Sequence, residues 1–272
     1  MTHDYIHSYT AQEQARLVAQ ARFLEPYTHP FLDLRGCEQV LEIGCGVGAQ
    51  IDIVLRRHPL VRVTGVDITP SQLDTARGGL AAPLVTGRAA LCAASGAALP
   101  FREDSFDAAY TFWLLEHVAE PIPILREAHR VLRPGGRLYC TEVFNSGLYA
   151  WPPAPALIAY WREFNSLQWA MGGDPDVGIR LANLATEAGF EVERYAEASP
   201  QMDRRMSGAD QRARFMVMWK TLLLSGAPAL LARGLVTQVA VDAMLSDLDR
   251  LTADPGSVFM YAARQVLARK LP

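Results

Sequence analysis

Three closely spaced glycines, Gly44, Gly46 and Gly48, follow the apolar run Val40-Leu-Glu-Ile43 and stand between two carboxylates, Glu42 and Asp67. Glycines let a backbone turn sharply and let a ligand lie directly against it, beside the positive end of the helix that follows. From Gly44 to Ala49 the loop also satisfies the Gly-x-Gly-x-x-Gly/Ala pattern of dinucleotide sites. The carboxylates separate the two ligand classes. Glu42, just ahead of the loop, would repel a pyrophosphate and attract an ammonium group, directly or through water. Asp67 ends the next apolar run, where a ribose diol can give it two charge-assisted hydrogen bonds.

Together these residues describe a nucleoside carrying a cationic amino-acid tail, as S-adenosylmethionine does. The main enzymatic alternative, an NAD(P)-dependent oxidoreductase, fits less well. The chain has only Lys220 and Lys270, and the residues four before them are Met216 and Val266, so there is no Tyr-x-x-x-Lys pair. A phosphate-cradling Gly-Lys-Ser/Thr loop is excluded on the same ground. A cofactor-binding module without catalysis is the second alternative, and the intact glycines and both acidic positions count against it. For proton transfer the best candidate is His117, since an imidazole with a pKa of ~6.5 suits abstraction near neutrality; organising the start of the next helix is its structural alternative.

The elements that position these residues alternate as in a parallel α/β sheet. Strands are predicted at Val40–Ile43, Val61–Asp67, Ala90–Ala94, Phe106–Phe112, Arg137–Val143, Glu191–Ala198 and Ser257–Leu267. Ala90–Ala94 is apolar on both faces, as a buried parallel strand should be. Capping boxes at Thr10–Glu13 and Thr69–Gln72 predict helix starts, the first helix stopping before Pro26 and the second closing at Gly78-Gly79. Further helices are predicted around Ile122–Leu132 and Ile179–Ala188. Two more, about Ala209–Leu224 and Leu235–Leu251, interrupt the sheet pattern as a cap does, or as a packing or dimer element does. The organisation is therefore an N-terminal arm or lid (1–30), an α/β core (31–206), a helical cap (207–256) and a last strand (257–272).

In order along the chain stand Val40-Leu-Glu-Ile-Gly-Cys-Gly-Val-Gly48, Gly65-Val-Asp67-Ile68, Leu99-Pro-Phe101 with Ser105-Phe-Asp107, Leu115-Glu-His117 and Leu132-Arg-Pro-Gly-Gly136. This series resembles the class I S-adenosylmethionine-dependent methyltransferases, in particular the group similar to ubiquinone/menaquinone-biosynthesis methyltransferases. The resemblance is firm over residues 38–145 and looser elsewhere. It implies a Rossmann-like, doubly wound, seven-stranded sheet with an antiparallel last strand. It also implies S-adenosyl-L-methionine as cofactor, S-adenosyl-L-homocysteine as product, and a methyl transfer to O, N or C of a small molecule. By position, Gly44 and Gly46 face the methionine moiety, Asp67 holds the ribose and Ile68 packs on adenine. Thr111 and Phe112 meet the methionine end, and Tyr9 in the arm contacts cofactor or acceptor. Where the family has an Asp for the adenine amine, this chain has Ser95, beside Gly96; a hydroxyl accepts that bond without charge.

On the acceptor side, Phe144, Tyr149, Trp151, Tyr160, Trp161, Phe164 and Trp169 crowd the stretch after the fifth strand. Tyr149 and Trp151, with Trp113, are the candidates for an acceptor pocket. The helical spacing of Tyr160, Trp161, Phe164 and Trp169 reads as one core-facing stripe. Glu142 reads as a salt-bridge partner, and the arginines at 204, 205, 212 and 214 as a solvated helix face. Charges nearly balance, 26 basic against 29 acidic, leaving no field to hold nucleic acid. Four widely spaced cysteines fit a reduced compartment and no metal site. The most apolar stretch, Phe215–Leu235, is broken by Lys220 and Arg233, short of the ~20 apolar residues that span a bilayer. A cytoplasmic protein without membrane partners is expected, and a homodimer is open.

Overall fold

A computed structural model describes residues 10–272. Alternating apolar residues build a central sheet from β1 (Gln39–Ile43), β2 (Arg62–Asp67), β3 (Ala89–Ala93), β4 (Phe106–Phe112), β5 (Leu132–Val143), β7 (Glu191–Glu197) and β10 (Ala263–Arg269). Its order is β3-β2-β1-β4-β5-β10-β7. The first five strands pair in parallel, and β10 runs antiparallel between β5 and β7. This is the seven-stranded arrangement the resemblance implies, but the last strand expected at Ser257–Leu267 divides: Val258–Met260 joins a small second sheet and Ala263–Arg269 enters this one.

Period-2 alternation sends the strands' apolar residues to two helical layers. Leu41, Ile43 and Ala109 pack with α5 (Pro121–Val131) and α7 (Leu181–Glu187). Val40, Ala108 and Tyr110 pack on the other face with α2 (Ala49–Arg57) and α3 (Pro70–Gly79), which is followed by α4 (Ala81–Val85). Strand order reverses between β1 and β4, and the crevice beyond the carboxyl ends of such strands is where ligands bind.

A third cluster forms the cap. Here α6 (Pro155–Ala170), α8 (Ala209–Ala232) and α9 (Gln238–Ala253) pack with Leu24 of α1 (Ala11–Thr28). A small sheet of β6 (Tyr149–Trp151), β9 (Val258–Met260) and β8 (Gln201–Met202) adjoins them. Among the described residues α8 is the one helix long and apolar enough to cross a membrane, and half of that stretch is buried in the fold.

Several local expectations are corrected. Helix α1 continues through Pro26, which falls in the last turn. Helix α8 continues through Gly226, where a Cβ would lie 2.4 Å from the Phe164 ring, so glycine serves close packing there rather than helix termination. Gly78 and Gly79 lie inside α3, and neither takes a left-handed conformation. Thr10 caps α1 by accepting the Glu13 N–H, but Thr69 provides no side-chain cap to α3. Strand β3 is a sheet edge and half exposed, not buried on both faces. Arg212 is buried: its guanidinium ties the carbonyls of Asp203, Leu251, Thr252 and Asp254 together.

Candidate cofactor and acceptor site

A cavity of about 510 Å³ opens over the carboxyl ends of β1, β2 and β4. One half is the glycine loop with its neighbours; the other reaches beneath the cap. Gly44, Gly46 and Gly48 all take positive φ (76°, 49° and 74°), which favours glycine there. Gly44 and Cys45 donate their N–H groups to the Val66 carbonyl at 2.8 and 2.9 Å, tying the loop to β2. A Cβ at Gly44 would lie 2.7 Å from Leu114, whereas one at Gly46 would meet no described residue within 4 Å. Among the described residues the loop at Gly46 is therefore bare backbone, the surface a nucleoside tail requires.

Asp67 is half-buried and bonded on both oxygens: Oδ2 accepts the Gly46 N–H and Oδ1 the Thr69 N–H, each at 2.8 Å. Each oxygen retains a lone pair for a ribose hydroxyl. Glu42 is 2% exposed, and its Oε2 accepts the Tyr110 hydroxyl at 2.9 Å. Burial raises its pKa well above the usual carboxylate range; the Asp67 charge acts in the same direction and the Tyr110 bond opposes both. A cation placed beside Glu42 would reverse that bias. Ile68, 59% exposed, offers a flat apolar rim. Ser95 borders the cavity with its hydroxyl accepting the Ala97 N–H at 3.2 Å. Gly96 is small because a Cβ would lie 2.7 Å from Ile43.

After β4 the chain makes a tight turn. Trp113 holds φ +56°, uncommon for a bulky residue, and donates its N–H to the Thr141 carbonyl at 3.0 Å. Glu142 accepts the N–H groups of Leu114 (2.9 Å) and Leu115 (2.7 Å) on one oxygen. It pins this turn and forms none of the salt bridges found among the described residues, correcting the expected role. Burial, then the Glu116 charge, pushes its pKa well up. The turn delivers Trp113, Glu116 and His117 to the cavity. His117 Nε2 stands 3.6 Å from Glu116 Oε1, and Glu116 Oε2 accepts the Gln168 amide at 2.8 Å.

Not every expected residue reaches the cavity. Phe112 borders it, stacked on His29, but Thr111 alternates to the opposite face of β4, beside Cys140. Tyr149 and Trp151 stand 52% and 54% exposed outside it, because β6 turns Ala150 towards the cap core and its two neighbours outward. Trp169 is likewise exposed, leaving Tyr160, Trp161 and Phe164 as the buried stripe of α6. Tyr9 lies outside the described residues. Conversely, Arg16, Leu17, Gln20 and Leu24 of α1, Gln72 of α3, Trp219 of α8, Asn145 and Tyr261 border the cavity without having been singled out. The capping box marked α1 as a helix, and nothing local marked the face it presents. Among the described residues no His/Cys/Asp/Glu cluster could hold a metal ion.

Residues 41–140 match the family model described as a methyltransferase domain. An O-methyltransferase from Pyrenophora dematioidea is 31% identical over 156 residues, 57% of this chain and 55% of that protein. A ubiquinone/menaquinone biosynthesis C-methyltransferase from Desulfotalea psychrophila is 31% identical over 129 residues, 47% of this chain and 48% of that protein. The chain thus spans about half the length of these curated relatives. Among solved structures, the [4+2]-cyclase SpnF shares the fold with a TM-score of 0.55 at 21% identity, over 93% of this chain and 80% of that one. The strand order and the glycine loop thus accompany a methyltransferase-domain match over residues 41–140.

Proposed function

We propose that this protein transfers the methyl group of S-adenosylmethionine to an O, N or C atom of a small-molecule acceptor. The observation that carries the reading is the continuity of one cavity, from the bare loop at Gly46 between Glu42 and Asp67 to the aromatic space under the cap. When bound, the cofactor supplies an activated sulfonium methyl, and the protein supplies alignment and exclusion of water. Gly44, Gly46 and Glu42 would hold the amino-acid end, Asp67 the ribose, and Ile68, Ser95 and Gly96 the adenine. Phe112 and Trp113 also border the cavity. His117 is the proposed base for an acceptor that must lose a proton, with Glu116 held by Gln168 at its side.

A soluble, cytoplasmic enzyme acting without nucleic acid or membrane is the accompanying reading, supported by the near-balanced charge and the inward packing of α8. The fold alone does not set the reaction, since a [4+2]-cyclase shares it. The test must therefore read methyl transfer itself. Incubating the protein with methyl-labelled cofactor and a host metabolite extract should yield a labelled small molecule, identifiable by mass. Cofactor binding with no labelled product from any extract would favour a non-methylating or purely binding role.

A further inference from the structure

The acceptor half of the cavity is walled by stacked rings. Trp161 lies on Phe164 (centroids 4.9 Å, 21° between planes) and Trp219 on Tyr261 (4.5 Å, 24°). Trp161 meets Tyr261 edge-on at 6.0 Å, which joins the two pairs into one surface. The polar atoms of Trp161 and Tyr261 are already used: the Trp161 indole N–H goes to the Asn145 carbonyl at 2.8 Å, and the Tyr261 hydroxyl to Asn145 Oδ1 at 3.0 Å. Asn145 itself is 1% exposed, with its amide on Asn165 and Gln168. Trp219 Nε1 is buried with no hydrogen-bond partner among the described residues, so the wall offers ring faces and one unpaired indole N–H.

Charge on the cavity's border is equally committed. Among the described residues Arg16 is the one arginine or lysine there. Its Nε and Nη2 are held by the Glu13 carboxylate at 2.7 and 2.6 Å, and a third N–H goes to Gln20. Both partners are buried, Arg16 at 7% and Glu13 at 4% exposed, so the pair is internally neutralised. The lining also carries Glu116. Tyr261 senses this balance: burial, then the Glu116 charge, drives its hydroxyl's pKa well up, while the Arg16 charge opposes them. A buried carboxylate or phosphate without its own counter-charge is strongly disfavoured. A cationic group is not disfavoured by this border, since Glu116 and the ring faces would attract it.

Resting on the methyltransferase reading above, we propose that the acceptor is a planar, conjugated molecule without negative charge, stacked on the Trp161–Tyr261 wall, and that anionic acceptors are excluded by the Glu13-neutralised Arg16 and by Glu116. The test uses one ring system in three charge states, 2-naphthol, 2-naphthoate and 2-naphthylmethylammonium, titrated calorimetrically into the full-length protein saturated with S-adenosylhomocysteine. The neutral probe should bind about ten-fold or more tightly than naphthoate, and the ammonium should also bind more tightly than naphthoate. In Glu13→Gln, checked for folding by thermal unfolding, Arg16 loses the carboxylate that neutralises it. Naphthoate affinity should then rise about ten-fold while naphthol moves by about two-fold or less. Wild-type protein that prefers naphthoate, or that ignores naphthol, would overturn the proposal without recourse to any variant. Failure to bind S-adenosylhomocysteine would sink the methyltransferase reading instead, and this inference with it.

Discussion

The Asp67 carboxylate accepts the Gly46 N–H at 2.8 Å, so the residue that ends β2 also sets the shape of the loop that ends β1. Its other oxygen holds the Thr69 N–H. Asp67 is thus a loop anchor and, in the proposed complex, the ribose acceptor. Asp67→Ala should weaken S-adenosylhomocysteine binding by ~1.5–3 kcal/mol, as loss of a hydrogen-bonded charge does, with Asp67→Asn falling between it and wild type. Calorimetry reads this directly, and an unchanged affinity would remove Asp67 from the site.

Glu42 gives a pH signature of defined sign. Its folded-state pKa lies well above 4.5, so the unfolded chain ionises first. Stability contributed by the neutral form is fully present below 4.5 and falls as pH rises towards the folded-state value. Glu42→Gln keeps an oxygen for the Tyr110 hydroxyl and removes the buried charge. It should melt higher than wild type at mildly alkaline pH, with the gap closing in acid. The same change should weaken S-adenosylhomocysteine binding and abolish proton release on binding, measured as buffer-dependent heats. Buffer-independent wild-type heats would contradict a role for Glu42 at the amino-acid end.

Glu142 satisfies two backbone donors at the turn that holds Trp113 in its left-handed conformation. Glu142→Ala leaves the Leu114 and Leu115 N–H groups without this acceptor and should cost about 2–5 kcal/mol in urea unfolding. Glu142→Gln retains an acceptor oxygen and should stay within about 1 kcal/mol of wild type. Equal losses in both would mean that the carboxylate charge, rather than the two accepted bonds, matters.

His117 is tested by separating binding from chemistry. For a hydroxyl acceptor, His117→Ala should lower kcat by about 10²–10⁴ while leaving S-adenosylhomocysteine affinity near wild type. Near-normal turnover at saturating acceptor in a normally folded variant would confine His117 to a structural role.

Much of the scaffold was legible because its signals are local. Strand β4 was read at Phe106–Phe112, and the motif residues around it lock the sheet: Asp107 accepts the Glu38 and Gln39 N–H groups, while Glu127 and Arg130 clamp the Leu99–Phe101 segment. The glycine loop was legible because positive φ restricts the choice of residue. What escaped depends on direction or on distant packing. Aromatic content suggested Tyr149 and Trp151, but the pleat of β6 decides which way they point. The same period-2 rule, applied within β4, separates Phe112 from Thr111. Arg16, Trp219 and Tyr261 meet only when α1, α8 and the approach to β10 close on one another. Composition near the fifth strand could not foresee that.

The central claim is that the cavity between Glu42 and Asp67 accommodates the adenosyl amino-acid cofactor rather than a dinucleotide. Parallel calorimetric titrations of the full-length protein with S-adenosylhomocysteine and with NADH test it most directly. The account predicts saturable one-site binding of S-adenosylhomocysteine, weakened in Asp67→Ala, and no binding of NADH. NADH binding without S-adenosylhomocysteine binding would contradict it.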